Sequence, residues 1–368
     1  MAIISNLAVT GGPRSGKSTV LEAIKEEARD YKAIITPETA TEFFGNGVDI
    51  AENGLDNLEF QKHVLLYQIE RENRYNMLAE SIRHPRVVRI NDRGIMDGMA
   101  YINQEQFMRL LRKEAGLNVE EVFSRYAAVL HLESSAFLGD NYYIQKDNPV
   151  RQEEDPAEVR ALDIRTRNSW VGHQRLIIVP ASKDFDEKKA RINKVLQRIL
   201  ADPHLEIERK FEIELPNFDA MERENIKVVP IFIEQIYLNS LNEGPRRIRK
   251  RGWDGYFTYY EAEKMHIKFG VKAENEKRIN SQYYFQTRLS QRDEDYEIIH
   301  KIRHYFLWKN QYFELDIFLK PKRLEGMALL EIELIDEEDG VEIPPFIKVI
   351  KEVTGNNSFS THSLAKKR

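Results

Sequence analysis

The stretch V-T-G-G-P-R-S-G-K-S-T, residues 9–19, decides the fold of the first half of the chain. It fits the pattern G-x-x-x-x-G-K-[ST], the signature of a loop that binds nucleotide phosphates. The apolar run at residues 3–9 has the length of a buried strand, and residues 17–31 follow with the spacing of an amphipathic helix. A strand, a glycine-rich loop and a helix in this order are the context that the motif requires. We therefore predict a phosphate-binding loop (P-loop) here rather than a glycine turn with a chance lysine.

Each part of the loop has a chemical reason. Glycines let backbone N–H groups turn inward toward phosphate oxygens, and the helix that follows adds free N–H groups and the positive end of its dipole. Lys17 is expected to reach the β- and γ-phosphates, and the Ser18 hydroxyl to ligate Mg²⁺. The predicted nucleotide-binding residues of the loop are Gly11, Gly12, Pro13, Arg14, Ser15, Gly16, Lys17, Ser18 and Thr19.

Length and composition narrow the possibilities further. A chain of 368 residues is too long for one ordinary core and predicts two domains. Its 42% hydrophobic and 31% charged residues are typical of a soluble globular protein, and a net charge of −5 gives no strong nucleic-acid signal. The absence of cysteine excludes disulfides, thiolate catalysis and cysteine-type zinc sites. With no signal-peptide layout and no apolar run near the roughly 20 residues that span a bilayer, we expect a cytoplasmic protein without a transmembrane segment.

Strand-like and helical patterns alternate through residues 1–200, which we predict to be a P-loop nucleotide-binding domain. Strands are predicted at residues 3–9, 33–36, 86–91, 127–132 and 175–179, and helices at residues 17–31, 58–83, 105–114, 119–125, 156–171 and 185–200. This alternation predicts a kinase-like α/β fold, in which helices cover both faces of a parallel five-stranded sheet. Ligands are then expected at the carboxyl ends of the strands.

Acidic residues follow the second and third predicted strands. Glu38 is predicted to act as a base or to bind a substrate hydroxyl; equally, it fits a carboxylate stabilised by a helix dipole. Asp92 is predicted to hold Mg²⁺ through water or to take a proton from a nucleophile. Arg93 is a candidate phosphate contact, while Asp97 is a weaker catalytic candidate that fits a helix cap as well. The catalytic residues predicted for this domain are Lys17, Asp92 and Glu38.

Residues 138–167 are long, polar and dense in charge, which is typical of a lid over an active site. Arginines in such a lid neutralise charge on a transferring phosphoryl group. The candidates are Arg151, Arg160, Arg165 and Arg167, of which Arg160 and Arg165 are assigned to nucleotide binding. The alternative is a solvated helix face with ordinary ion pairs. Pro180, in the turn after the last strand, is expected beside the nucleotide base.

Five segments together indicate a family: the P-loop, T-P-E-T-A at residues 36–40, N-D-R-G at 91–94, R-A-L-D-I-R-T-R-N-S-W at 160–170 and V-P-A-S at 179–182. They resemble the AAA-type P-loop domain of ribosylnicotinamide kinases and of the TRPL translocation defect protein. The resemblance implies binding of ATP or GTP with Mg²⁺ (or Mn²⁺). The absence of an N-K-x-D guanine reader leaves the choice of base open, and no arginine finger indicates a ring motor.

The pattern changes after residues 201–203, which break the last helix. Period-two alternation predicts strands at residues 205–213, 231–238, 246–251, 261–269, 282–288, 301–308, 311–318 and 328–334. Strands of this kind predict a second domain at residues 204–353, an antiparallel β-barrel. Residues 354–368 are polar and predicted to form a disordered tail.

The alternating residues of this barrel are charged. Same-face sets include Arg247 with Arg249, Glu314 with Asp316, Glu331 with Glu333, and Lys264 with His266 and Lys268. Facing outward, they would make an ordinary solvated barrel. Facing inward, they would line a tunnel where carboxylates hold divalent metal and cations hold a polyphosphate. The basic run at residues 246–251 also fits a nucleic-acid patch, but its alternation on a strand favours inward phosphate contact.

The opening E-x-E-x-K at residues 206–210, with the charged pairs that follow, resembles the CYTH family, the triphosphate tunnel fold. The resemblance implies metal positions at Glu206, Glu208, Glu331 and Glu333, and phosphate positions at Lys210, Arg247, Arg249, Lys268 and Arg303. Glu314 and Asp316 are added as metal candidates. Arg288 is added as a phosphate candidate of open role, because residues 284–288 stand where many members carry a further acidic strand.

Three functions fit these patterns. The first is an enzyme: an NTPase or a nucleoside or nucleotide kinase, whose tunnel binds and hydrolyses a triphosphate or polyphosphate. The second is a GTP-dependent switch that binds a phosphoinositide headgroup without fast catalysis. The third is a tripolyphosphatase with a regulatory P-loop domain. The alternative for the barrel itself is an inert domain that binds phosphates without cleaving them.

Overall fold

The computed structural model describes residues 3–27, 30–139, 155–201, 204–239 and 244–367. The chain divides into two compact units, Met1–Asn193 and Lys194–Arg368. The division falls about ten residues before the boundary that the sequence predicts, within a helix rather than at the break after it. Of the helices described, none combines the length and the apolar character needed to cross a bilayer.

The first unit contains a sheet of five parallel strands. They are β1 (Ile3–Thr10), β2 (Lys32–Thr36), β3 (Arg86–Asp92), β4 (Ala128–Leu132) and β5 (Leu176–Val179), in the spatial order β2-β3-β1-β4-β5. Every neighbouring pair is parallel. β1 lies at the centre, so Leu7, Ala8 and Val9 have no exposed surface. The predicted five-stranded α/β fold is confirmed, and the ends of β1, β3 and β4 lie side by side.

Seven helices of this unit are described. They are α1 (Lys17–Glu27), α2 (Thr39–Gly45), α3 (Asn57–Ser81), α4 (Gln104–Lys113), α5 (Val119–Phe123), α6 (Pro156–Asn168) and α7 (Phe185–Ile199). Short 3₁₀ turns lie at Ile95–Ala100 and Ser135–Leu138. Side-chain caps mark several of the starts, with Asn103 before α4, Asn118 before α5 and Asp155 before α6. The short helix α2 is absent from the sequence-based prediction, because seven residues carry too little helical periodicity to be recognised.

The second unit is an antiparallel barrel. Its strands are β6 (His204–Ile213), β7 (Val228–Leu238), β8 (Arg246–Trp253), β9 (Tyr256–Lys268), β10 (Val271–Ile279), β11 (Ile299–Trp308), β12 (Gln311–Lys320), β13 (Ala328–Glu333) and β14 (Val349–Glu352). They follow the order β10-β9-β8-β7-β11-β12-β13-β6-β14, and β10 also pairs with β6. This extra pairing closes eight strands into a ring, which confirms the predicted barrel, while β14 lies along the far end of β6.

One predicted strand is wrong. After the short helix α8 (Phe218–Arg223), residues 282–288 belong to a helix, α9 (Ser281–Ser290). The strand that completes the barrel is β10, which the sequence did not reveal. Asn280 caps α9 by accepting from the Tyr283 N–H, and Tyr284 and Thr287 are buried three residues apart, a helical spacing. β10 escaped notice because its sequence, V-K-A-E-N-E-K-R-I, lacks the apolar alternation that identifies a half-buried strand.

The C-terminal segment is also different from expectation. The predicted disorder of residues 354–368 is wrong, because a 3₁₀ turn (Asn357–Phe359) and helix α10 (Thr361–Ala365) follow β14. Leu364 and Ala365 are buried against side chains that β7, β11, β12 and β13 contribute. The contacted residues are Tyr237, Ile299, Phe318 and Leu329. A short polar segment folds here because its two or three apolar residues meet an apolar surface that only the barrel provides.

Replacement of Leu364 by alanine tests this docking. The variant is expected to lower the free energy of unfolding by about 2–4 kcal/mol, because it removes a side chain from a packed apolar cluster. Urea denaturation followed by circular dichroism measures the change. Leu289, which is 87% exposed on α9, provides the control, and Leu289→Ala is expected to change stability by less than about 0.5 kcal/mol. Equal stability of the two variants would show that the segment does not dock.

Candidate functional sites

Close backbone contacts shape the P-loop. Gly11 and Gly16 have φ values of 145° and 81°, in the region that favours glycine. A Cβ atom at Gly11 would lie 2.2 Å from the carbonyl oxygen of Leu132, and one at Gly12 would lie 2.7 Å from the Asp163 side chain. Residues 11 and 12 are therefore glycines because the loop passes directly against β4 and α6.

The carbonyl groups of the loop are held from outside. Gly11 O accepts from Lys17 Nζ (3.3 Å) and from Arg93 Nη1 (3.2 Å). Ser134 Oγ donates to the carbonyl of Pro13 (2.6 Å), and the Ser135 N–H donates to that of Arg14 (3.2 Å). Lys188 Nζ donates to the carbonyl of Ser15 (2.9 Å). With these carbonyls engaged, the N–H groups of the loop can turn toward a phosphate. No sequence motif pointed to Ser134, Ser135 or Lys188; their only signal is a position after β4 or on the last helix of the unit.

Asp163 joins α6 to the same loop. Its Oδ1 accepts from the N–H groups of Gly12 (2.7 Å) and Ser134 (3.2 Å), and its Oδ2 pairs with His131 Nε2 (2.9 Å). Burial would raise the pKa of Asp163, but His131 and the Gly12 N–H outweigh it and lower that pKa. The carboxylate is thus charged and fully occupied. This residue lies within the segment that carries the family resemblance, but the sequence assigned it no role.

The two acidic candidates beside the loop differ in their contacts. Glu38 lies at the N-cap position of α2 but makes no capping hydrogen bond; instead it accepts from Arg93 Nε and from Thr41 Oγ1. Burial would raise the pKa of Glu38, but Arg93 and Lys17 lower it to about 2. Asp92 is less engaged: its Oδ1 is buried and accepts no hydrogen bond from any described residue. Of these two carboxylates, Asp92 is therefore the one with an oxygen that lacks a hydrogen-bond donor among the described residues.

Asp97 and Lys17 are two further charged residues near the P-loop and Arg93. Asp97 accepts from Thr10 Oγ1 (2.7 Å) and Trp170 Nε1 (2.5 Å), so it is neither a helix cap nor free to act as a base. Burial raises the pKa of Asp97, although Arg93 opposes the effect. Lys17 is half-buried, and burial and Arg93 lower its pKa. Arg93 adopts a left-handed backbone conformation (φ 68°), which turns its guanidinium between Glu38 and the P-loop.

A cavity of about 1170 Å³ opens beside the P-loop. Lys17, Ser18, Glu38 and Asp92 line one side of it. The remaining wall is largely aromatic and apolar, with contributions from Phe44, Ile50, Leu55, Phe60, Tyr101 and Phe107. Gln61 also lines the cavity, and its Oε1 is buried without a partner among the described residues. A volume of this order holds a small organic molecule beside the phosphate site.

Two of the predicted lid arginines donate to backbone carbonyl groups. Arg160 donates to the carbonyl of Ala136 (3.1 Å), and Arg165 donates to that of Ala100 (2.9 Å). Arg151 and the centre of the predicted lid lie outside the described residues. Burial lowers the pKa of Arg167, which is on the same helix. Pro180 follows β5 as predicted; its place beside a nucleotide base stays a prediction.

In the barrel, the charged faces point inward. Lys264 on β9 pairs with Glu206 on β6 (2.6 Å), and Arg303 on β11 pairs with Glu331 on β13 (3.0 Å). In each case another strand lies between the two partners, so their side chains can meet only across the concave face. The opposite face is apolar and covered: Phe211, Ile213, Phe306, Phe313, Leu315, Leu330 and Ile332 form one core. The inward arrangement, one of the two that the sequence left open, is the one adopted.

Ion pairs connect most of this interior. Lys210 pairs with Glu331 (2.7 Å) and Glu208 (3.7 Å), and Lys264 reaches Glu206, Glu208 and Glu274. Further pairs join Arg247 to Glu274 (2.5 Å), Arg249 to Glu276 (3.5 Å), Lys272 to Glu208, and Arg303 to Glu314 and Asp316. Lys301 also pairs with Asp316 (2.5 Å). Each of these cations thus has a carboxylate partner among the described residues, and groups of both signs line the wall.

The fields within this wall shift several pKa values. Burial would lower the pKa of Lys210, but Glu331 and Glu208 outweigh it and raise that pKa. Lys264 shows the same direction because of Glu206 and Glu274. Burial lowers the pKa of Lys301 to about 8 despite Asp316, and burial raises the pKa of Glu314 to about 7 despite Arg303. The wall holds mostly charged groups together with two that titrate near neutral pH.

Three predicted barrel residues make their ion pairs outside the interior network. Lys268 is more than half exposed and pairs with Glu337 (2.6 Å), so it is not part of the interior network. Arg288 is on α9, outside the barrel wall, where it donates to Glu234 (3.0 Å). Glu333 is 31% exposed and pairs with Arg198 (3.2 Å). The interior residues that the sequence missed are Arg251, Lys272, Glu274, Glu276 and Lys301; the side chain of His266 lies outside the described residues.

The predicted metal ligands separate into two groups. Glu206 lies with His204 and Glu274, and one ligand atom of each lies within 4.8 Å of the others. Glu314, Asp316 and Glu331 instead surround Arg303. Carboxylate oxygens suit Mg²⁺ or Mn²⁺, and a histidine nitrogen suits the softer of the two. Either group would have to exchange a lysine or arginine partner for the metal, as is expected when a bound polyphosphate attracts those cations.

Comparisons with known proteins found one family model and several solved structures. A family model described as an AAA domain matches residues 6–188. No curated protein sequence matches the chain.

Among solved structures, the inorganic triphosphatase NE1496 is 23% identical over 44% of this chain and 95% of its own, with a TM-score of 0.30. The PH1012 protein from Pyrococcus horikoshii OT3 is 22% identical over 36% of this chain and 80% of its own (TM-score 0.27). The putative adenylyl cyclase HpAC1 from Hippeastrum, whose structure is described as revealing a dominant triphosphatase activity, is 15% identical over 36% and 81% (TM-score 0.29).

Substitution of Gly12 tests the packing of α6 on the P-loop. Gly12→Ala is expected to lower the free energy of unfolding by about 1–3 kcal/mol, because the new methyl group would overlap the Asp163 side chain. Urea denaturation followed by circular dichroism gives the value. Gly45→Ala is the matched control, since a Cβ there meets open space at the end of α2. A Gly12→Ala protein as stable as this control would refute the close approach.

Proposed function

We propose that the first unit is a Mg²⁺-dependent kinase that transfers the γ-phosphate of ATP or GTP to a hydroxyl of a small molecule. The observation that carries the proposal is the cavity of about 1170 Å³ next to Lys17, lined in part by Asp92, whose buried Oδ1 accepts no hydrogen bond from a described residue. A simple NTPase needs room only for water, whereas a cavity of this size accommodates an acceptor of nucleoside size. The match of an AAA domain model to residues 6–188 supports nucleotide binding in the same unit.

In this proposal the residues have separate tasks. The P-loop N–H groups and Lys17 orient the triphosphate, and Ser18 and Asp92 are the residues that would hold Mg²⁺ (or Mn²⁺), which neutralises phosphate charge. Glu38, held by Arg93 and Thr41, fits a group that binds and orients an acceptor hydroxyl better than one that moves to take a proton. Asp92 has an oxygen without a donor and fits the proton acceptor.

A phosphotransfer assay tests this assignment. Radiolabelled ATP and GTP are incubated with Mg²⁺ and a panel of nucleosides and nucleotides, and the phosphorylated product is separated and counted. Lys17→Met is expected to abolish transfer, and Asp92→Asn to lower kcat by about a hundredfold or more, because each group acts on the reacting phosphate or hydroxyl. Asp30→Asn, at an exposed site, is the control.

The same assay separates the alternatives. Release of inorganic phosphate without any phosphorylated acceptor would favour an NTPase over a kinase. Tight nucleotide binding with negligible turnover, together with capture on phosphoinositide-containing liposomes, would favour a nucleotide-dependent switch.

We propose as a second function that the barrel binds, and with metal hydrolyses, a triphosphate or polyphosphate chain. The supporting observation is the interior wall, where buried lysines and arginines alternate with carboxylates. Cations suit the phosphate oxygens and carboxylates suit a divalent metal, so a metal–polyphosphate pair meets both signs of charge at once. A bare anion or a bare metal would leave half of these groups without a partner.

Cleavage of inorganic tripolyphosphate with Mg²⁺ or Mn²⁺ tests this function. Glu331→Gln and Arg303→Met are expected to lower phosphate release by at least about tenfold, because both side chains lie in the interior. Lys268→Met and Arg288→Met are matched controls that remove a cation outside the interior network and are expected to keep the activity. Loss of activity in the controls would contradict the interior site.

Lys17→Met connects the two proposals. If it spares tripolyphosphate cleavage, the barrel acts independently and a regulatory P-loop stays compatible with the result. If it abolishes cleavage, the P-loop is the site of that reaction.

A further inference from the structure

Lys188 lies beneath the P-loop. It is on α7, its residue is only 5% exposed, and its Nζ donates to Ser15 O (2.9 Å) and Glu133 O (2.8 Å). One turn earlier on the same helix, the Phe185 ring lies where a Cβ at Gly16 would approach it to 3.2 Å. The first turn of α7 therefore packs directly on the loop that would hold a triphosphate.

The charge of this ammonium is not balanced by a direct partner. Within the part of the chain that the structure describes, Lys188 donates to two carbonyl groups. No carboxylate oxygen of that part lies within 4.0 Å of its Nζ, so it forms no ion pair there. Asp163 is close enough to act on it electrostatically, but its oxygens already accept from Gly12, Ser134 and His131. A buried cation without a paired anion is costly, and in binding sites the missing anion is commonly the ligand.

We propose that Lys188 is a second lysine of the nucleotide phosphate site: its charge, set behind Ser15, is balanced by the bound polyphosphate. The inference rests on the proposed nucleotide binding and assigns a residue that the P-loop motif does not contain. Lys188 is a positioning residue in this role, because it acts through the backbone of the loop. It holds the Ser15 carbonyl outward and adds positive potential where the phosphates lie.

The surroundings of Lys188 agree with this role. Burial lowers its pKa to about 8, against the opposing effects of Asp163 and Glu133, and the charge of Lys17 lowers it further. These three groups, from α6, from the position after β4 and from α1, are the charged neighbours that act on it. An added polyphosphate raises the pKa of the lysine, so binding favours its protonated form.

Isothermal titration calorimetry on the full chain tests the proposal, with MgATP, MgGTP and the two diphosphates as ligands. Three variants separate charge from hydrogen bonding. Lys188→Arg keeps the charge, Lys188→Gln keeps N–H donors without charge, and Lys188→Met keeps neither. Lys25→Gln, at an exposed position on α1, is the control. Circular dichroism confirms that each variant is folded before titration.

The expected result is a loss of triphosphate affinity of at least about tenfold in both Lys188→Gln and Lys188→Met, with a smaller loss for the diphosphate and near wild-type affinity in Lys188→Arg. Wild-type affinity in Lys188→Gln would overturn the proposal, because the two hydrogen bonds alone would then suffice. A wild-type chain that binds none of the nucleotides would instead refute the proposed function of the unit.

The pH profile of wild type and Lys188→Arg is a second readout, which remains available if the neutral variants do not fold. Affinity of the wild type for the triphosphate is expected to fall as pH rises through about 8, where free Lys188 loses its proton. The guanidinium of Lys188→Arg stays charged, so this variant is expected to lose less affinity over the same range. Because Lys17 is present in both proteins, identical profiles would overturn the proposal.

Discussion

Inside the barrel, Arg303 contacts the carboxylates of Glu314, Asp316 and Glu331. The second unit depends on this kind of pairing between buried charges. A charge removed from water needs an opposite charge at hydrogen-bonding distance, or it destabilises the fold. Eight strands that turn charged faces inward therefore have to alternate the two signs around the wall. The apolar residues, displaced to the outer faces, then need covering by helices and loops.

Buried charges are balanced by other kinds of partner in the first unit. Asp163 is balanced by His131 and by backbone N–H groups, and Glu38 is balanced by Arg93. Lys188 and the Oδ1 of Asp92 are not matched in this way within the described residues. Lys188 lies behind the P-loop, and Asp92 belongs to the lining of the cavity beside it. A buried lysine without an ion-pair partner among the described residues distinguishes this site from the barrel wall, where Lys210, Lys264 and Arg303 pair with carboxylates.

Errors of the sequence-based prediction have a common physical origin. Apolar periodicity identifies an element only when one face is apolar, so β10, which places Glu274 and Glu276 in the interior, passed unnoticed. The residues that follow are rich in aromatic side chains, which favour strands, yet Asn280 caps them into a helix. Arg288 was placed in the tunnel for that reason. Leu364 has little local signal, because its apolar environment comes from strands distant in sequence.

Local sequence patterns were sufficient to predict the P-loop, the five parallel strands and most of the charged barrel strands. Each of these features depends on residues close together along the chain. Glycine spacing, apolar runs and period-two alternation act over fewer than about ten residues and need no distant partner. Tertiary structure alone decided that the charged faces point inward, that Lys268 is outside the network, and that Asp163 and Lys188 hold the loop. Those outcomes depend on which strands and helices become neighbours. The paired residues lie from 28 positions apart, as Arg303 and Glu331 do, to 173 positions apart, as Lys188 and Ser15 do, and such pairing leaves no mark on either segment alone.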